Sequence, residues 1–241
     1  MADTGGFASN KKRGEIELAL LVSGILCQKG DTMTPLKIEQ YVVGSVSTNC
    51  YFAINDETKE VVIIDPGAAA KQLAAKVEAS GLKPAAILLT HGHFDHAAAA
   101  EELAAILQVK IYAHEAERET LEKPEINLSG WEGKMDIYHA DEYMADESVL
   151  ELAGFNIRVL HTPGHTVGGC CYYFKEQNTL FSGDTLFCTS IGRTDFPKGS
   201  ASQLIRAINE KLMVLPDETA VYTGHGEMTT IGMERMHNPF L

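Results

Sequence analysis

Four side chains able to hold a metal ion fall within six residues in the run Thr90-His91-Gly92-His93-Phe94-Asp95-His96. An apolar run, residues 85–89, precedes it and reads as a buried strand. A strand that ends in a His-x-His-x-Asp-His loop puts two imidazoles, His91 and His93, on one side of a turn. Asp95 and His96 then stand at the start of the Ala-rich segment that follows. This suits one ion on His91 and His93 and a second, close by, on Asp95 and His96. Two ions need more ligands than these four, and the chain offers three further candidates. They are His165 in Thr162-Pro163-Gly164-His165-Thr166, Asp184 in Gly183-Asp184-Thr185, and His225 in Thr223-Gly224-His225-Gly226. Each sits in or beside a glycine-containing turn after a strand-like run, where a scaffold projects side chains rigidly into a common site. Imidazole and carboxylate without cysteine argue for an open, catalytic metal site rather than a closed structural one.

Each residue also has a plainer reading. Asp95 suits a helix N-cap, since residues 97–107 read as helix. His114, His139, His161 and His237 match no ligand position and read as structural or solvated, with His161 able to support the nearby His165. Asp65, ending the strand-like run 61–64, is either a turn residue before Pro66-Gly67 or a group that orients a ligand imidazole. Cys188, four residues past Asp184, is read as outside the ligand set.

In order along the chain, Asp65-Pro66-Gly67, His91 to His96, Thr162 to Thr166, Gly183-Asp184-Thr185-Leu186-Phe187, Gly192-Arg193-Thr194-Asp195-Phe196 and Thr223 to Gly226 resemble the metallo-β-lactamase-fold hydrolases, in their glyoxalase II-like branch. The resemblance runs from about Lys37 to the C-terminus. It implies an α/β fold, the four-layer αββα sandwich. It also implies His91, His93 and His165 on one divalent ion and Asp95, His96 and His225 on a second. Asp184 and a hydroxide would bridge them, so that Asp95 and Asp184 act in catalysis through that hydroxide. Zinc is the expected metal, with iron or manganese also suited to the ligands.

The activity so implied is hydrolysis of thioesters of small acylated thiols. A thiolate leaves without a dedicated general acid, and none is evident. Persulfide dioxygenases, which hold one iron by two histidines and an aspartate, look similar across the same motifs. A lactonase or phosphodiesterase would use the same ligands. A flavodiiron-type oxygen reductase would have Glu in place of His93, and a binding protein would have lost ligands. Glyoxalase II enzymes carry a helical region after the last histidine that holds glutathione. Here sixteen residues follow His225, so a short form without that region is expected. Substrate contacts would fall to loops such as residues 131–143 and to Arg193, unless Arg193 pairs with Asp195.

The rest of the chain fits. Its 241 residues, 45% hydrophobic, suffice for one layered α/β domain. Strands are expected near 38–43, 50–54, 61–64, 87–89, 109–113, 157–160, 170–174, 179–181 and 220–222. Helices are expected at 69–79, 97–107 and 202–211, and mixed loops over residues 115–144. Twenty basic residues against 33 acidic ones, a net −13, are a poor footprint for a nucleic-acid partner. Five cysteines without framework spacing favour a reducing, cytoplasmic setting. Of Cys170 and Cys171, one is expected to face the core and the other not. Residues 1–32 fall outside the pattern and are expected to form a short helix or a loose extension, with the domain at 33–241. The apolar stretch 16–27 is too short to span a bilayer. A small molecule is the expected partner, and the oligomeric state is left open.

Overall fold

The computed structural model describes residues 17–22 and 33–241. Seven strands form the first sheet in chain order: β1 (Glu17–Val22), β2 (Leu36–Val43), β3 (Thr48–Asn55), β4 (Glu60–Ile64), β5 (Lys83–Leu88), β6 (Lys110–His114) and β7 (Glu142–Met144). The first four pair antiparallel and the last four parallel. The second half begins with β8 (Val149–Leu152), β9 (Phe155–His161), β10 (Cys170–Phe174) and β11 (Thr179–Gly183). A small hairpin, β12 (Leu186–Phe187) and β13 (Ser190–Ile191), precedes β14 (Ala220–Thr223) and β15 (Thr229–Thr230). The second sheet runs β15-β14-β11-β10-β9-β8.

Side chains alternate between the two faces of each strand, and strands such as β3 and β10 are buried along their whole length because both faces are covered. Tyr51 and Ala53 meet Tyr172, Phe174 and Phe181 between the sheets. Cys50, Phe52 and Ile54 point the other way, under α1 (Ala70–Ala79) and α3 (Ala100–Leu107). On the far side, Cys171, Tyr173 and Leu180 lie beneath Leu204 of α5 (Ala201–Ala207) and Ile231 of α6 (Ile231–His237). Helix, sheet, sheet and helix stack as the four-layer αββα sandwich. Cys170 and Cys171 are therefore both buried, one between the sheets and one under the outer helices, because the second sheet is covered on both faces. Among the described residues the cysteines are unpaired, Cys188 alone being exposed.

Several elements differ from the sequence reading. Residues 17–22 form an edge strand on β2 where a short helix or loose segment is expected. The remainder of 1–32 lies outside the described residues. The helix expected at 97–107 is two: α2 (Phe94–Ala97) and α3. The break occurs where the Ala99 N–H turns to the Pro66 carbonyl at 3.1 Å. Residues 115–144 hold the short helix α4 (Arg118–Glu122) and also β7, which closes the first sheet beside β6. No helix among the described residues is long and apolar enough to cross a membrane.

Hydrogen bonds between the sheets gather at one end. The Tyr172 hydroxyl donates to the Leu89 carbonyl at 2.8 Å, and the Cys170 N–H to Thr90 at 2.9 Å. Asn49 N–H donates to Gly224 at 2.8 Å and the Tyr51 hydroxyl to Thr223 at 2.7 Å, while within the second sheet Gly224 N–H donates to Gly183 at 2.8 Å. The loops carrying the candidate ligands are thus fixed where the two sheets meet.

Candidate metal centre

All seven candidate ligands come together at that seam. His91 and His93 follow β5, Asp95 and His96 lie on α2, and His165 follows β9. Asp184 follows β11 and His225 follows β14. Three sets have ligand atoms within 4.8 Å of one another: His91 with His93 and His165, Asp95 with His96 and His225, and His91 with His96 and Asp184. The Asp184 carboxylate reaches both sides. One oxygen lies 3.4 Å from His96 Nε2, and the other 3.5 Å from His165 Nε2 and 3.6 Å from His225 Nε2.

Several of these side chains are held from behind. Asp65, at a left-handed backbone position, accepts from the Thr90 N–H and hydroxyl at 2.7 and 2.6 Å and lies 2.9 Å from His96 Nδ1. The Asp65 carbonyl also accepts from Gly67 N–H at 2.9 Å, so the turn and the contact to His96 coexist. Thr48 donates to Asp95 Oδ2 at 2.8 Å, and that oxygen lies 3.2 Å from His225 Nε2. His93, not Asp95, occupies the N-cap position of α2, so the capping reading of Asp95 does not hold. Its carboxylate is turned to Thr48 and His225 instead.

Arg193 enters by its backbone: its carbonyl is 2.7 Å from His165 Nδ1. Its guanidinium forms a two-point pair with Asp195, at 3.0 and 2.7 Å, over the ring of Phe196. Gly224 backs the centre, because a Cβ there would sit 2.2 Å from Asp184 Oδ1 and 2.8 Å from His96 Cε1.

Charge follows from burial and proximity. Burial pushes the His91 imidazole well down, with His96 and His93 adding to the effect. For His96 burial also lowers, but Asp95, Asp184 and Asp65 outweigh it and hold the ring well up. Asp184 stays at about 2: burial raises its carboxyl, and His96, His165 and His225 more than reverse that. Asp95 is lowered for the same kind of reason, by His96 and His225 against burial. Both carboxylates are therefore acceptors only.

Cation binding is the chemistry this donor set suits. His91 Nε2, His93 Nε2, His96 Nε2 and Asp184 Oδ1 are buried without a hydrogen-bond partner. His93 Nδ1 and His165 Nε2 face each other at 3.0 Å. Orphaned buried polar atoms are costly unless something completes them, and a divalent ion, displacing the His96 proton, would do so.

Cys188 is exposed and joins none of these sets. His114 and His161 stack on each other at 4.0 Å and join none of the three sets. Sequence reasoning missed Glu117; Trp131 opens the loop 131–143 expected to contact substrate, and Phe196 closes the Gly192 to Phe196 motif without a role of its own there. Phe196 lies edge-on to His93 and His165, at 5.4 and 5.8 Å, and Trp131 packs on it at 5.3 Å. Glu117 follows β6, and its place at the end of a parallel strand, where sites collect, was the available signal.

Known proteins are similar to this chain over most of its length. A family model described as the metallo-beta-lactamase superfamily matches residues 43–225. Hydroxyacylglutathione hydrolase GloC of Haemophilus influenzae is 39% identical over 209 residues, 86% of this chain and 98% of that protein. The crystal structure of the BLEG-1 B3 metallo-beta-lactamase aligns with a TM-score of 0.81 at 42% identity, covering 85% of this chain and 99% of its own. A di-iron-bound form of TTHA1623 aligns at 0.74 and 36% identity, covering 83% and 98%. Because the family match runs through the His91 to His96 loop and on to His225, and these relatives align almost end to end, the chain is a metallo-hydrolase of the metallo-beta-lactamase superfamily.

Proposed function

We propose that the chain is a dinuclear hydrolase of thioesters of small acylated thiols. In this reading His91, His93 and His165 hold one divalent ion, and Asp95, His96 and His225 hold the other. Asp184 lies between the two. The observation that carries it is the Asp184 carboxylate, one oxygen turned to His96 and the other to His165 and His225. Zinc is the metal proposed, and five imidazoles with two carboxylates would also accept iron or manganese.

When bound, two such ions supply a nucleophilic hydroxide near neutral pH and polarise the acyl carbonyl. The chain's own groups do the rest. Asp65, the Arg193 carbonyl and Thr48 fix His96, His165 and Asp95, so the ligands need not reorganise as charge develops. Asp95 and Asp184, ionised, act as ligands and not as proton donors. Phe196 and Trp131, the latter 67% exposed, offer an apolar shelf beside His93 and His165 for the acyl or thiol portion. A thiol of pKa near 8.5 leaves as the thiolate without a proton donor, which matches a site where Asp95 and Asp184 are ionised. The name of the GloC relative supports a thioester as substrate.

The test pairs metal analysis with two assays, release of thiol from lactoyl-glutathione and oxygen uptake with glutathione persulfide. Two ions per chain and thiol release are expected. One iron per chain with oxygen consumption would overturn the reading in favour of a persulfide dioxygenase. Faster turnover of a lactone or phosphodiester would overturn the substrate class.

A further inference from the structure

Glu117 is fully buried at the turn between β6 and α4. One carboxylate oxygen accepts from the Gly92 N–H at 2.8 Å. The other accepts from the Thr166 hydroxyl at 2.9 Å and the Gly168 N–H at 2.7 Å. Gly92 stands between His91 and His93, and Thr166 follows His165. These three partners are neutral donors, as is the Thr120 hydroxyl, which also bonds the carboxylate. A buried carboxylate without a cationic partner is costly, and a purely space-filling role is met better by an apolar side chain.

The packing leaves the two loops no slack against this segment. A Cβ on Gly168 would lie 2.2 Å from the Glu117 nitrogen, and one on Gly92 would lie 3.0 Å from Leu121. Only a side chain with two acceptor oxygens can take hydrogen bonds from both loops at once. The other triad is fastened by different bonds, from Thr48 to Asp95 and between Asp65 and His96.

The geometry points to Glu117 as a positioning residue that pins the His91-Gly92-His93 loop to the His165 loop, and so sets the spacing of one metal triad and not the other. This rests on the ligand division proposed above. Glu117→Gln keeps the shape but turns an NH2 group towards donors. It should loosen His91, His93 and His165 while leaving Asp95, His96 and His225 in place.

The test is zinc titration of the metal-free full-length chain against a competing chelator, with wild type measured first. Glu117→Gln should weaken one of two ions by about 10- to 100-fold, the range for groups that orient ligands, and leave the other within about twofold. In a His225→Ala background the remaining ion should weaken by that full factor. In a His165→Ala background it should not change. Thr166→Val, which removes one donor, should weaken the same ion by a few-fold, and it gives the answer if Glu117→Gln fails to fold. Equal weakening of both ions, or a fall in Tm with both affinities unchanged, would overturn the positioning role. Wild type binding fewer than two ions would overturn the ligand division and the inference with it, a failure visible before any Glu117 variant is made.

Discussion

Asp184 concentrates the most consequence in one side chain, since its two oxygens address both triads. Asp184→Asn keeps the shape, removes the charge and turns an NH2 towards an imidazole. Zinc content should fall at both positions and kcat should drop by at least about 100-fold, or about 2.7 kcal/mol. Unchanged metal content and rate would sink the bridging assignment. His225→Ala removes one arm of one triad only. It should retain one ion on His91, His93 and His165, whereas loss of both together would count against the division. His114 gives a pH prediction away from the metals. Burial, then the stacked ring of His161, holds it at about 4, below an ordinary value of 6.5. As pH falls, the unfolded chain takes up this proton first, so the neutral buried ring stabilises the fold above pH 6.5 and that contribution is lost towards pH 4. Thermal melts of metal-free His114→Gln should therefore fall less steeply over this window than wild type. Parallel curves would remove His114 from the acid response.

Turns and short loops carry the next scale. Gly224 is held by two backbone bonds, to Asn49 and Gly183, so it cannot retreat from the centre it backs. Gly224→Ala would drive its methyl into Asp184 and His96. Overpacking of this kind costs about 1–3 kcal/mol, and zinc binding should fail at both triads as Tm drops. Gly226→Ala is the contrast. Its φ of +72° strains an alanine, but no atom lies within 4 Å, so a smaller loss of Tm with intact zinc binding is expected. The same elements explain what the sequence could tell. The His91 to His96 loop was legible because its ligands are neighbours in the chain, and the strand ends before His165, Asp184 and His225 because apolar runs stop at glycine turns. Glu117 was hidden because the partners that tie it to the ligand loops lie 25, 49 and 51 residues away, and its place after β6 alone did not single it out. The break between α2 and α3 was hidden too: the alanines at 97–100 have uniformly high helix propensity, and only a tertiary bond to Pro66 interrupts them. β7 and β15, three and two residues long, carry too few residues for alternation to register.

Across the whole molecule, the four layers were implied by the family resemblance and suited by the order of strands and helices, while the roles of the two faces of the second sheet were not legible. The molecule's charge bears on substrate choice. The net −13 opposes the approach of an anionic thioester. The loops bearing Trp131 and Phe196 also carry three cations, each already matched: Arg193 by Asp195 at 2.7 Å, Lys134 by Glu132 at 3.0 Å, and Lys198 by Glu119. Glutathione's carboxylates would have to compete with these pairs, whereas the aromatic shelf does not distinguish one thiol carrier from another. Contacts of that kind discriminate by only a few kcal/mol. We therefore expect kcat/KM for lactoyl-glutathione to lie within about a thousandfold, or about 4 kcal/mol, of the same acyl group on a neutral low-molecular-weight thiol. Added salt should raise the glutathione value, by screening over about 10 Å at 0.1 M, and leave the neutral carrier's unchanged. A larger preference for glutathione, or a rate that falls with salt for glutathione alone, would mean that one of these cations leaves its carboxylate to clamp the carrier.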